Sequence, residues 1–231
     1  MNAFFPGLLL IKYFRYTLYL YVLIGYGLAI AGSYEDFFRA VRQDDAATVS
    51  ALLRRGFDVN SLDPQSRSAL SLALIEPSPR VLQLLLGWPQ TRIDERNEND
   101  ETPLMMAALH GNLAAAQALL AKDADVNKTG WTPLHYAATR GHLSLMRLLL
   151  EHHAYIDAES PNGSTPLMMA ARYGSREAVQ LLLDAGADPL LRNQLQLTAL
   201  DFASTGSRDE NAALIAAAIK VLQTESKRLQ H

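Results

Sequence analysis

The side chains most suggestive of chemistry are two adjacent histidines beside an acid, Glu151-His152-His153. Neighbouring residues at a helix end point about 100° apart, so they lack the shared face that an i,i+4 pair offers a metal ion. They read as solvated turn residues. The run Asn97-Glu98-Asn99-Asp100-Glu101 could attract a cation, but a solvated loop accounts for it. Met105-Met106 and Met168-Met169 place soft, adaptable thioethers in pairs. One of each pair is expected in the core and the other on an open face. The chain contains no HExxH, no GxSxG, no phosphate-binding glycine loop and no calcium-loop pattern. It also contains no cysteine, which excludes disulfides, thiol nucleophiles, cysteine-zinc sites and a lipid-modified N-terminal cysteine. No catalytic residue, no metal site and no cofactor is expected.

The composition is uneven along the 231 residues. The first 32 carry no Asp or Glu, two cations (Lys12 and Arg15) and eight of the eighteen aromatics. The remaining 199 residues carry a net charge of −5, from 19 cations and 24 anions. That part is rich in Leu and Ala and poor in aromatics, which favours helices over sheets. A mildly acidic chain lacks the basic stripe needed to neutralise phosphates, so no nucleic-acid partner is expected.

Tyr16 to Ala31 is a sixteen-residue run without a charge, preceded by Lys12 and Arg15. Ala29-Ile30-Ala31 ends it with small residues at the spacing an export peptidase accepts, so residues 1–31 read as a signal peptide cleaved after Ala31. As a helix the run would rise about 24 Å, short of the ~30 Å hydrocarbon core. A second apolar stretch, Phe4 to Ile11, keeps an uncleaved membrane anchor open as the alternative. Either reading places residues 32–231 outside the cytoplasm, in a periplasm or secreted.

The rest of the chain repeats itself. Thr102-Pro103-Leu104, Thr132-Pro133-Leu134 and Thr165-Pro166-Leu167 are each followed by an Ala-Ala pair, with weaker copies at Ser68-Ala69-Leu70 and Thr198-Ala199-Leu200. Successive spacings are 34, 30, 33 and 33 residues. The physics of one unit is legible. Thr132 can cap a helix N-terminus and Pro133 suits its first turn. Ala137 and Ala138 let a second helix approach, and Gly141 can take the left-handed conformation that ends the helix. Leu145, Met146, Leu149 and Leu150 then make one apolar face. No single unit buries both helices, so neighbours must stack.

Thr132-Pro133-Leu134-His135-Tyr136-Ala137-Ala138 followed by Gly141-His142 closely resembles the ankyrin repeat. Ala124-Asp125-Val126-Asn127 and Gly186-Ala187-Asp188 match its closing turn. The resemblance covers about residues 34–222 and implies an all-α solenoid of about six stacked helix-turn-helix units with projecting hairpin loops. The units fall at about 34–67, 68–98, 99–128, 129–161, 162–194 and 195–231, the first and last acting as caps. It also implies structural hydrogen-bonding roles for His135 and His142.

The departures are specific. Glu35-Asp36-Phe37 stands in place of Thr-Pro-Leu in the first unit, and Glu76-Pro77-Ser78-Pro79 replaces the helix-ending glycine of the second. The 30-residue spacing shortens the loop between Val126 and Thr132, so a truncated finger is expected there.

By the same resemblance, partners contact the residue before Thr-Pro-Leu and the two before the helix-ending glycine. Carried over, these are Glu101, Leu109 and His110; Trp131, Thr139 and Arg140; Ser164, Arg172 and Tyr173. Trp131 either projects as a binding hot spot or folds down to shield the shortened loop. Arg140 and Arg172 share a concave row suited to an acidic partner patch. The function expected is a non-catalytic, monomeric module that binds another protein through its loop edge and concave face. A membrane-tethered structural scaffold is the alternative, if the leader is retained.

Overall fold

The computed structural model describes residues 32–76 and 78–228; residues 1–31, on which the expected leader and its Ala29 and Ala31 fall, Pro77 and residues 229–231 lie outside them. Twelve helices are present among the described residues, paired in sequence. They are α1 (32–42), α2 (Ala46–Arg54), α3 (Ala69–Ile75), α4 (Pro79–Gly87), α5 (Pro103–His110), α6 (Leu113–Leu120), α7 (Pro133–Arg140), α8 (Leu143–Glu151), α9 (Pro166–Tyr173), α10 (Arg176–Asp184), α11 (Ala199–Thr205) and α12 (Asp209–Arg228). None of them is long and apolar enough to cross a membrane. No strand forms among the described residues beyond one isolated antiparallel bridge, Leu62 to Ser68.

The helices start where the side chains say they should. Thr102, Thr165 and Thr198 each accept from the backbone N–H three residues on, at 3.3–3.4 Å. In return the third helical residue caps the threonine N–H, and its chemistry varies along the stack. Met105 and Met168 use sulfur at 3.4 Å, His135 uses Nδ1 at 3.2 Å, and Asp201 uses a carboxylate oxygen at 2.7 Å. Thr102, Thr132 and Thr165 are buried and Thr198 is half-buried, so even a weak sulfur acceptor serves an amide that water reaches poorly.

Helix ends differ more than the sequence suggests. Gly111 and Gly141 take φ of 71° and 70°, the left-handed stop. Gly174 does not: its φ of −79° and ψ of −173° are ordinary extended values. Glycine is needed there for space, since a Cβ would lie 2.6 Å from the Ala138 carbonyl oxygen.

Stacking then follows in two rows. The first helices α3, α5, α7, α9 and α11 pack side by side, as do the second helices α2, α4, α6, α8, α10 and α12. The first-helix row is the closer packed, because buried Ala107-Ala108, Ala137-Ala138 and Ala170-Ala171 hold no bulk between axes. Unequal spacing of two rows bends the stack, with the first helices on the concave side.

The core runs the length of the stack. Phe37 and Phe38 close one end at 0% and 2% exposure, while Glu35 and Asp36 face solvent, as a polar cap requires. Met105, Met106 and Met168 are buried and Met169 is half-buried, so the expectation that each pair splits fails for the first pair. At the other end α12 runs for 20 residues, and its Val221 and Leu222 are exposed.

Candidate functional site: the loop edge and concave face

The loops are hairpins built on one plan. In 63–67, 97–101, 160–164 and 193–197 the first residue donates its N–H to the carbonyl of the last, at 2.9–3.1 Å. A side-chain oxygen folds back to hold the turn in each. Asp63, Asn97 and Asn193 accept two N–H groups apiece, and Ser160 accepts from the Ser164 N–H. These side chains satisfy loop amides that no strand ladder would serve.

Residues 126–132 have no counterpart of that hairpin bond among the described residues. Lys128 folds inward instead and is 4% exposed. Its ammonium donates to the Thr129 carbonyl and reaches the Asp100 carboxylate of the neighbouring loop. That ammonium holds the Asp100 carboxyl below the usual carboxylate range. Asn127 stitches the base of the loop to the following one, its Nδ2 donating to the His153 carbonyl at 2.8 Å and its Oδ1 accepting from the Tyr155 N–H at 2.7 Å. Asn60 makes the same pair of bonds to Gln90 and Arg92 two units earlier.

Trp131 stands beside this shortened loop. Its ring is half-buried and meets the His135 imidazole edge-on, with centroids 5.2 Å apart, and the Tyr136 ring at 6.4 Å. It therefore lies down over the start of α7 while keeping part of its surface exposed. Tyr136 ties this cluster backwards, donating to Glu101 Oε1 at 2.8 Å. Burial raises the Tyr136 hydroxyl, and the Glu101 carboxylate adds to the effect, so it remains a donor.

The nine residues singled out from sequence have different fates. His110, Arg140 and Tyr173 are exposed at the ends of α5, α7 and α9, and Arg172 lies half-buried with its guanidinium 5.2 Å from the centre of the Tyr173 ring. Leu109 and Thr139 are half-buried, Thr139 turned back to donate to the His135 carbonyl. Glu101 is half-buried and already bonded to Asn97 and Tyr136. Ser164 leaves the row altogether. It is 1% exposed, its hydroxyl accepts from Asn193 and its carbonyl accepts from His135. The loop hairpin closes over it, which position in the repeat alone could not reveal.

The histidines of the motif are structural. His135 is fully buried, with Nε2 2.9 Å from the Ser164 carbonyl. A carbonyl only accepts, so Nε2 carries the proton and Nδ1 is free to accept from Thr132. Burial pushes its pKa down to about 4. His142 places Nε2 3.3 Å from the Leu109 carbonyl and packs its ring against Gly111. Glu151, His152 and His153 are exposed at the end of α8, and no group of three potential metal-ligating residues converges among the described residues. Sequence reasoning missed Tyr136 and Lys128. A lysine beside a loop short by three residues was the available signal for the second.

The family model described as ankyrin repeats, three copies, matches residues 37–129, 75–160, 123–193 and 154–224. The chain is 38% identical over 155 residues to the nuclear factor NF-kappa-B p105 subunit of Mus musculus, covering 64% of this chain and 16% of that one. It thus spans only a small part of the length of that relative. Against the ankyrin repeat protein YahD of Escherichia coli it is 30% identical over 193 residues, 79% of this chain and 95% of YahD. The crystal structure of the human ASB11 ankyrin repeat domain is similar with a TM-score of 0.70 and 27% identity, covering 79% and 82% of the two chains. A chain in the complex of the Bd0816 predatory endopeptidase from Bdellovibrio bacteriovorus with immunity protein Bd3460 is similar at TM-score 0.69 and 26% identity, covering 79% and 97%.

Proposed function

The chain belongs to the ankyrin-repeat family, and from that premise we propose that it is a non-catalytic protein-binding module acting as a monomer outside the cytoplasm. Ankyrin repeats serve as protein–protein interaction modules, and the chain's similarity to a chain of an endopeptidase–immunity protein complex supports a protein partner. The carrying observation is the exposed row of His110, Arg140 and Tyr173 on adjacent first helices. Arg172 stacks on Tyr173, and Trp131 offers part of its ring at the loop edge. Adjacent helix axes lie about 10 Å apart, so the row spans enough surface to meet one protein face. Its charge is positive, which suits an acidic patch. Side chains of the Trp, Tyr and Arg types carry most of the affinity at such surfaces.

Export rests on the leader: two cations, sixteen uncharged residues and the Ala29-Ile30-Ala31 site. The experiment captures partners from the native cell envelope with the wild-type chain and with a Trp131→Ala, Arg140→Ala, Tyr173→Ala variant. Loss of the captured protein with an unchanged helical spectrum supports the assigned face, and unchanged capture refutes it. Mass spectrometry of the chain from its host tests export in the same preparation. A terminus at Gly32 or Ser33 supports cleavage, and an intact Met1 replaces it with a membrane tether.

A further inference from the structure

We propose that the groove between the overhanging part of α12 and the turn after α10 docks an amphipathic helix of a partner protein that bears lysine or arginine. The groove lies on the second-helix row at the C-terminal end of the stack, apart from the cationic row at the ends of α5, α7 and α9, and is independent of it. α12 overhangs because it lacks a stop. Helices α2, α6, α8 and α10 hold 8 or 9 residues. Each is stopped within three residues by a left-handed one: Gly56 at φ 92°, Asp123 at 61°, His153 at 63° and Gly186 at 96°. One repeat of 33 residues past Gly186 stands Ile219, β-branched and unsuited to that conformation. α12 therefore runs on to Arg228, 20 residues against 9 in α10, an excess that rises about 16 Å.

A second periodic feature ends at the same place. Asn60, Asp94, Asn127 and Asp157 stand at the repeat spacing, and each accepts from a turn amide of the following unit. The donors are Arg92, Asp125, Tyr155 and Asp188 in order, at 2.7–3.2 Å. The next position in that series is Leu190, which is 47% exposed. α12 continues where a following turn would bond a polar residue, and the sequence supplies an apolar one in place of the polar surface a terminal unit needs. Leu190 lines a groove of about 1130 Å³, whose α12 wall carries Leu214, Ala218, Val221 and Leu222. Val221 and Leu222 are 56% and 42% exposed. Three large apolar side chains left open to solvent thus converge on one groove.

Shape and charge select the occupant. Leu214, Ala218, Val221 and Leu222 sit at i, i+4, i+7 and i+8, one half of a helix–helix seam with the other half missing. The groove is larger than most small-molecule pockets and suits apolar anchors on a helix laid along it. Its lining holds Asp184 and Asp188 and no Lys, Arg or His. Neither carboxylate has a cationic partner among the described residues: Asp184 accepts from the Gln180 amide group and Asp188 from the Leu190 N–H. Exposed acids of this kind steer and orient a cationic partner more than they hold it. The apolar residues therefore anchor the helix, and the two aspartates choose its sign.

The test titrates the purified protein with three synthetic peptides: a helix with Leu on one face and Lys on the other, its counterpart with Glu for Lys, and an isomer of the first with its leucines dispersed around the helix. The Leu/Lys helix is expected to move amide resonances of residues 183–190 and 214–222, with the other two peptides at least about tenfold weaker. Val221→Asp and Leu190→Asn, on opposite walls and both at exposed positions, should each weaken it about tenfold with the helical spectrum unchanged. Should one of them fail to fold, the other carries the decision. Asp184→Asn combined with Asp188→Asn, which keeps an acceptor for the Leu190 N–H, should erase the preference for Lys over Glu. The proposal is overturned by shifts mapping elsewhere, by equal binding of the three peptides, by binding indifferent to either wall variant, or by a Lys preference that survives the Asn pair. Sedimentation supplies the remaining outcome: a wild-type dimer that Val221→Asp dissociates gives the groove to a second copy and overturns it too.

Discussion

The imidazole of His135 bridges two units, its Nε2 donating to the Ser164 carbonyl at 2.9 Å while its Nδ1 caps Thr132. One ring thus joins the start of α7 to the hairpin of the following loop. It does both only when neutral.

That arrangement sets a pH dependence. The folded pKa of His135 is pushed down to about 4 from an ordinary 6.5. A group whose folded pKa is depressed gives its full stability above the unfolded value and loses it as pH falls through the window from 6.5 to about 4. The loss across that window is about 3 kcal/mol. Asp94 and Asp157, raised by burial above the ordinary carboxylate value, act in the opposite sense near its lower end. The diagnostic is therefore a comparison with His135→Met, which copies the residue at the same place in α5 and α9. Urea denaturation from neutral to mildly acidic pH should show a steeper loss for the wild type. Parallel curves would contradict the neutral, buried imidazole.

Gly174 and Gly186 separate two reasons for glycine. Gly186 has φ of +96° with open space around it, so Gly186→Ala should cost about 1 kcal/mol of backbone strain. Gly174 has an ordinary backbone, but a Cβ would meet the Ala138 carbonyl oxygen at 2.6 Å and Ala170 at 2.9 Å. Gly174→Ala should cost about 3 kcal/mol, because backbone rather than a movable side chain must shift. Urea midpoints of the two variants give the order, and a smaller loss for Gly174→Ala would contradict the tight α7–α9 approach.

Asn127→Ala removes both bonds that hold the short loop to the next one. A loss of about 1–2 kcal/mol is expected, modest because the site is solvent-accessible. The sharper readout is hydrogen exchange. The Tyr155 amide, now 2.7 Å from Asn127 Oδ1, should lose protection while amides within α7 and α8 keep theirs.

Lys128 tests whether stem or charge matters in the truncated loop. With the side chain almost wholly buried and its ammonium paired to the exposed Asp100, Lys128→Met keeps the stem and should change stability by less than about 1 kcal/mol. Lys128→Ala empties the space and should cost about 2 kcal/mol. Thermal melts of the pair decide it; equal losses would assign the effect to charge alone.

Sequence by itself determined the repeat, the helix starts and the two-row stack. The helix starts rest on contacts within a unit, such as Thr102 with Met105 or Thr198 with Asp201, three residues apart, and the stack follows from the repeat because no single unit buries both of its helices. It also fixed the exposed ends of α5, α7 and α9, where His110, Arg140 and Tyr173 precede a glycine. What only the tertiary structure decided lies between units. Ser164 occupies the same repeat position as Trp131, yet Asn193 and His135, 29 residues away on either side, bury it. Trp131 stays partly open because the loop beside it is short. Ser78 has the residue type of an N-cap and loses the role to Asp44 of the preceding unit. The physical reason is common to all three. Local spacing dictates which bonds a helix can make with itself, whereas burial and competition for a donor depend on which neighbour the stack brings within reach.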